Sequence, residues 1–496
     1  MSTHNSLIVP AERRLRVLHY QRVRQAADDF VYDNDDLPND LPDLTRQRLN
    51  DIGNAQRFVA MFGADVRYAA ERKCWLIWEG RRWKSDTMNQ VRRLAKDSML
   101  EFLWQAGEAL NKEMLRFAER SLDMPRLRHL LEAAQSEPGI PVETAQLDSH
   151  PFLLNVRNGV LDLTTGALAP HSRELLLTKL VDVNYDPDAQ CPRWIRFLNE
   201  SLEPELVAHV QKALGYSMSA DASAKVAFVC YGAANAGKST MLATFRTLMA
   251  EYSTLLLAQT LTTHGRGGDA LADMADLCGT RFAQVSEFGQ DEHLAQKVLK
   301  GIVQGAAGRT KARRKFGNPI QFNETWTLWL DGNSLPKLAD PYDPGMAVRL
   351  HPIHFAKSVP PERIDAALGH RLEDEFPGIL SWLVRGFGLY MRHGLNRPPS
   401  VQASLDGWLE DCDHIPRFIV QCCLVGPRFS VQLRPLFTAY QRWCAESLER
   451  PMTPTMFSRA MQHHGYRKER TAAARFYVGI KMASMTTDDS VSRDVQ

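Results

Sequence analysis

The stretch 225–241, KVAFVCYGAANAGKSTM, constrains this chain more than any other. Its first half is a short apolar run, the pattern of a strand buried on both faces. The run breaks at Gly232. From there Gly232, Ala233, Ala234, Asn235, Ala236, Gly237, Lys238 and Ser239 fit G-x-x-x-x-G-K-[ST] at every position, with Thr240 next. Beyond Lys238 the apolar residues Met241, Leu242, Phe245 and Leu248 recur at helical spacing. Strand, glycine loop and helix in this order make a phosphate cradle. The glycines let backbone N–H groups turn inward, and the helix N-terminus adds the positive end of its dipole. The pattern implies an ATP site over residues 232–240, with Lys238 reaching the β- and γ-phosphates and the Ser239 hydroxyl ligating Mg²⁺. Lys238 itself reads as a solvated loop lysine whose removal leaves the fold intact.

The 496 residues suffice for about three domains. A hydrophobic content of 44% and a charged content of 24% fit a globular protein, and a net charge of +2 confines any nucleic-acid contact to local basic clusters. The eight cysteines form no C-x-x-C pair, which argues against a zinc finger and for free thiols in a reducing cytoplasm. No apolar run reaches the length of a membrane span and no signal peptide is seen, so a cytoplasmic location without a membrane partner is expected.

Residues 1–48 read as a charged tail and linker, and 483–496 as a polar, disordered tail. Residues 51–62 read as a helix, 75–83 (WLIWEGRRW) as a tight hairpin, 88–131 as helices, and 153–166 as two short strands broken by Asn-Gly and Thr-Gly turns. The hairpin tryptophans suit either its own core or a base-stacking platform. A second buried strand, 279–287, ends in Glu287, and a third, 326–331, runs into Gly332, Asn333 and Pro336. Between them lies the most basic stretch, 309–319, with Lys311, Arg313, Arg314 and Lys315. It suits sequence-independent contact with nucleic-acid phosphates, or else is a solvated loop. A helix at 376–393 is followed by a boundary at Asn396-Arg397-Pro398-Pro399. The last segment, 413–482, has the pattern of a winged helix. It shows an amphipathic helix at 433–448, a second opened by the N-cap Thr453, and a wing carrying Arg467, Lys468, Arg470, Arg475 and Lys481, for which DNA binding or protein docking are the two uses.

The strings DIGNAQRFVAMFG, WLIWEGRRW, LLNVRNGVLDLTTGALAPH and YDPDAQCPRWIRFL resemble ordered blocks of the N-terminal domain in phage and plasmid primase–helicases. That family includes the satellite-phage alpha-type proteins and the poxvirus primase–helicase. The resemblance extends over about residues 51–482 and implies a superfamily III DNA helicase. The fold it implies is α/β: a P-loop AAA+ ATPase core at 199–395, between an N-terminal α+β domain at 49–198 and a C-terminal winged helix at 413–482. By the family's motifs, Glu287 orients the attacking water or holds Mg²⁺, where relatives often carry two adjacent acids and this chain has one. Asn333 matches the sensor of the γ-phosphate. Arg349, in MAVRLHPIHF, matches the arginine that reaches a neighbouring subunit's ATP, against the plainer reading of an interface salt bridge. The basic stretch at Lys311 and Arg313 matches the hairpin that grips single-stranded DNA in a ring's channel. The implied protein is a replicative helicase of a phage, plasmid or mobile element, a homo-hexamer acting on single-stranded and forked DNA with ATP and Mg²⁺. The space before the helicase region is short for a primase and no D-x-D with a supporting glutamate or histidine is found, so priming is expected from a separate partner. Two other classes stay open: an origin-binding initiator, and a packaging-type P-loop ATPase that moves DNA without unwinding it.

Overall fold

The computed structural model describes residues 41–262, 274–288, 292–305, 308–312, 320–365, 367–470 and 474–483. Among them the chain is a mixed α/β protein, with helices packed on several sheets and no closed barrel.

The first part begins with α1 (Asp51–Phe62), opened by Asn50, whose side chain accepts from the Gly53 amide. Strands β1 (Val66–Ala69), β2 (Cys74–Trp78), β3 (Trp83–Ser85) and β4 (Pro141–Val142) form one sheet in the order β3-β2-β1-β4. Three helices, α2 (Gln90–Glu108), α3 (Lys112–Ser121) and α4 (Met124–Ala134), join β3 to β4 and pack with α1 around Phe58, Phe102 and Leu130. Arg57 is fully buried in this core. Its guanidinium donates to the carbonyls of Leu44, Gln47 and Arg48 and lies 3.8 Å over the Phe102 ring. Burial pushes its pKa down to about 10. Trp78 and Trp83 are buried as well, and the Trp83 indole donates to the Arg173 carbonyl at 2.9 Å. These two rings are hairpin core and offer no face to a base.

A second small sheet, β5 (Leu153–Val156), β6 (Gly159–Asp162) and β7 (Leu168–Ala169), shares its core with the next two helices. Leu154, Val156 and Leu161 join one cluster with Trp194 and Leu198 of α5 (Pro192–Ser201) and Val210 and Leu214 of α6 (Pro204–Tyr216).

The centre is a parallel sheet. Its strands are β8 (Ala227–Gly232), β9 (Ser253–Leu256), β10 (Phe282–Phe288), β13 (Thr327–Gly332) and β14 (Leu350–Phe355), in the order β14-β8-β13-β10-β9. Helix α7 (Lys238–Met249) follows β8, and α8 (Gln296–Ile302) follows β10. An antiparallel hairpin, β11 (Arg309–Ala312) and β12 (Ile320–Asn323), stands between α8 and β13. Apolar residues of β8 alternate between two cores: Phe228 and Cys230 face α6 and α7, while Ala227 and Val229 face Leu299 and Ile302 of α8. Both faces being covered, the strand sequence is apolar throughout, as the sequence pattern predicts. Short α9 (Pro344–Ala347) precedes β14. Then come α10 (Leu368–Glu373), α11 (Phe376–His393) and α12 (Pro399–Asp411).

The last part packs α13 (Ile415–Cys422), α14 (Leu433–Glu446) and α15 (Pro454–His463) on an antiparallel sheet of β15 (Cys423–Gln432), β16 (Lys468–Arg470) and β17 (Arg475–Met482), ordered β15-β17-β16. Phe418, Tyr440, Phe457 and Tyr477 form its core. The Thr453 hydroxyl accepts from the Met456 amide and caps α15. All eight cysteines are free. Among the described residues no helix is long and apolar enough to cross a membrane.

Candidate functional site

The loop between β8 and α7 is held in a conformation that few residues tolerate. Gly232 has φ +141°, Asn235 +60° and Gly237 +94°. A Cβ at Gly232 would lie 2.2 Å from the Phe355 carbonyl, and one at Gly237 2.6 Å from Ser201 Oγ. The segment after β14 braces the loop from outside: Ser358 Oγ donates to the Ala234 carbonyl at 2.8 Å, and the Val359 amide to the Asn235 carbonyl at 3.0 Å. Helix α7 starts at Lys238 without a side-chain cap, so its first amides are left for an anion.

Lys238 is 5% exposed, not solvated as the sequence suggested. Its Nζ donates to the carbonyls of Gly232 and Ala233, both at 2.7 Å, and lies 3.5 Å from Asn333 Oδ1. The loop's own carbonyls satisfy the ammonium. Burial pushes its pKa down, and Asp331 and Cys230 work against that shift.

Asp331 is a member of this site that the sequence reading passed over. It is the penultimate residue of the central strand, is 6% exposed, and accepts from Gln284 Nε2 at 3.0 Å. Gln284 Oε1 in turn accepts from Arg246 of α7 at 2.9 Å, so helix and two strands are tied beneath the loop. The available signal was one acid inside the apolar run TLWLD. Asn333 stands on the turn after β13, and the register Phe288 to Gly332 sets the end of β10 beside that turn. Glu287 is in this strand end; its side chain lies outside the described residues. A cavity of about 730 Å³ runs along α7 from Asn235 and Gly237, lined by Phe197, Arg196, Thr240 and Thr244. Among the described residues no three metal-ligating His, Cys, Asp or Glu side chains come together. Mg²⁺ held by one hydroxyl, an acid, phosphates and water needs no such group.

The structure does not bring Arg349 to this loop. The Ala227 amide donates to the Arg349 carbonyl at 2.8 Å, so Arg349 flanks the amino end of β8, while Gly232 closes its carboxyl end. Five residues at ~3.3 Å each separate them by roughly 17 Å. The Arg349 side chain donates through Nε to Val303 O (2.8 Å) and through Nη1 to Gly345 O (2.6 Å). The basic hairpin rises from the same edge. Its strands are described, whereas the Lys311 side chain and Arg313, Arg314 and Lys315 lie outside the described residues. In the C-terminal sheet Arg467, Lys468, Arg470 and Arg475 are all exposed, and Arg470 pairs directly with Arg475 across the β16–β17 ladder. Burial and the neighbouring Arg475 lower the Lys468 pKa. Exposed Glu469 sits between Lys468 and Arg470 on the same strand.

Residues 55–203 match the family model described as D5 N terminal like. No curated protein matches the chain. Solved structures that resemble it include the A form apo structure of the NrS-1 C-terminal region, at 8% identity and a TM-score of 0.46 over 83% of this chain and 94% of that one. A further apo structure of the NrS-1 C-terminal region, residues 305–718, gives 8% identity and 0.47 over 84% and 96%. At these values the likeness carries no functional argument.

Proposed function

We propose that the chain is an ATP-dependent DNA helicase of the phage-type primase–helicase family, a P-loop AAA+ motor that works as a homo-hexameric ring with a C-terminal winged helix on DNA. The observation that carries this reading is Lys238, buried in a left-handed glycine loop at the head of α7, 3.5 Å from Asn333 and within the field of Asp331. The match of residues 55–203 to the D5 N terminal like family supports the same family.

Bound ATP·Mg²⁺ supplies the hydrolysable phosphoanhydride. The residues divide the remaining work. Backbone amides from Gly232 to Thr240 cradle phosphates, and Lys238 exchanges the Gly232 and Ala233 carbonyls for phosphate oxygens. Ser239 holds the metal, Glu287 with Asp331 nearby orients water, and Asn333 reports the γ-phosphate. The cavity along α7 suits base and ribose. Arg349, roughly 17 Å along the sheet from its own loop, serves a neighbour's nucleotide once it leaves the Val303 and Gly345 carbonyls, a role that calls for a ring. Single-stranded and forked DNA, a separate primase and a cytoplasmic setting complete the proposal.

Lys238→Ala tests it at the root. The variant is expected to lose ATP hydrolysis. Hydrolysis at near wild-type rate would show that the loop is no nucleotide site.

A further inference from the structure

Residues 303–305, which follow α8, are held from two sides. Arg349 Nε donates to the Val303 carbonyl at 2.8 Å. The next two amides, Gln304 and Gly305, both donate to Oε2 of Glu324, at 2.7 and 3.0 Å. Glu324 directly follows β12, and its own amide donates to the Gly308 carbonyl at 3.1 Å just before β11. Glu324, 5% exposed, therefore acts twice: its backbone amide joins the two feet of the basic hairpin, and its carboxylate holds the segment on which Arg349 rests. The packing is close: a Cβ at Gly308 would lie 2.8 Å from Glu324 Oε2, and one at Gly305 2.5 Å from Lys225 Cε.

We propose that Glu324 is the positioning residue that couples DNA on the hairpin to Arg349. This inference rests on the helicase reading above. Residues 303–305 link the two in three consecutive steps, carbonyl to Arg349 and amides to Glu324. A displacement of the hairpin feet on DNA loading moves Glu324, drags the Gln304 and Gly305 amides, and shifts the Val303 carbonyl that holds Arg349 back. The arginine then extends to the adjoining subunit. Without DNA the same hydrogen bonds keep it folded against its own chain.

The groups facing Glu324 are Arg349 and Lys225, which favour its charge, and Tyr216, with which it interacts through space. Burial outweighs the two cations and pushes the carboxyl up to about 7. The acid is charged above that pH and neutral below it, so the clamp on the amides weakens as pH falls.

The test compares ATPase rates of wild type, Glu324→Gln and Glu324→Asp, with and without oligothymidine, from about pH 8 to about pH 6. Glutamine keeps an acceptor oxygen for both amides and drops the charge. Expected for Glu324→Gln are a basal rate close to wild type, unchanged oligothymidine affinity, and loss of DNA stimulation at every pH. Stimulation of the wild type falls as pH drops through Glu324's titration, and Glu324→Asp keeps that pH dependence. Hydrogen exchange of the wild-type 299–305 segment should quicken when oligothymidine is added. A glutamine variant with wild-type stimulation and pH profile overturns the coupling, as does unchanged exchange over 299–305. Loss of the basal rate together with stimulation makes Glu324 a mere fold residue and also overturns it. A wild-type protein that hydrolyses no ATP would instead sink the helicase reading itself.

Discussion

Gly237→Ala probes the cradle with the sharpest structural magnitude. At φ +94° an alanine costs about 1–2 kcal/mol in backbone strain alone. The new Cβ would also lie 2.6 Å from Ser201 Oγ and 3.0 Å from the Phe197 ring, both on α5. Neither neighbour is the loose end of a long side chain, so relief requires a shift of α5 or of the loop, worth about a further 1–3 kcal/mol. The total is roughly 2–5 kcal/mol. Gly139→Ala isolates the first part: φ there is +82° with nothing within 4 Å of the added Cβ, so only the backbone strain of about 1–2 kcal/mol applies. Urea unfolding read by tryptophan fluorescence measures both. In a Ser201→Ala background the Gly237→Ala penalty should shrink by about 0.5–2 kcal/mol, because the nearest clashing atom is gone. The displaced loop should also bind ATP at least about tenfold more weakly by calorimetry, a loss of about 1.4 kcal/mol. If Gly237→Ala costs no more than Gly139→Ala and ATP affinity is unchanged, the loop is neither as tight nor as functional as argued.

Separate parts of the molecule carry three other predictions. Replacing Lys311, Arg313 and Arg314 with alanine should weaken single-strand binding at every sequence and flatten the slope of log affinity against log salt by roughly 2, at about 0.7 per charge; an unchanged slope measured by fluorescence anisotropy would return these residues to the solvated-loop reading. Arg349→Ala and Lys238→Ala proteins should each hydrolyse ATP poorly, yet their mixture should regain part of the rate at interfaces that join a good loop to a good arginine; no gain under proven subunit exchange contradicts a role across subunits. His209 and His351 stack at 5.6 Å inside the core, and burial lowers their pKa values to about 4 and about 2, with Lys212 and Arg397 adding to the shift of the first and Arg397 and His209 to that of the second. Since the neutral form is the folded one, their contribution is complete above about pH 6.5 and is lost as pH falls toward 4 and below; urea midpoints should decline over that range, less steeply for His351→Leu, and equal slopes would refute the assignment.

Local pattern accounts for the part of the fold that was legible in the sequence. The apolar run, two glycines and Lys238 announced strand, loop and helix, and the Thr453-Pro454 cap and the periodicity of Phe376–His393 gave helices with the observed bounds. Strand β15 stayed hidden because it carries Gly426 and Pro427, slips register between Val425 and Ser430, and is mostly exposed, so no alternation marks it. The burial of Lys238 was missed because it depends on the loop's own carbonyls turning inward. Asp331 and Glu324 depend on register and on long-range closure: nothing near Glu324 in sequence announces Gln304, Gly305 and Arg349 as its surroundings. The same holds for Arg281, whose buried guanidinium reaches the carbonyls of Met218 and Leu153 and joins the second small sheet to the central one.

Strand displacement from a forked duplex, with the particle size measured in the presence of nucleotide, addresses the central claim most directly. The account predicts ring-sized particles that release the displaced strand with ATP and Mg²⁺, and no release without ATP or with Lys238→Ala. ATP hydrolysis stimulated by DNA but with no strand displaced at any enzyme concentration would contradict a helicase and leave an initiator or a packaging-type motor in its place.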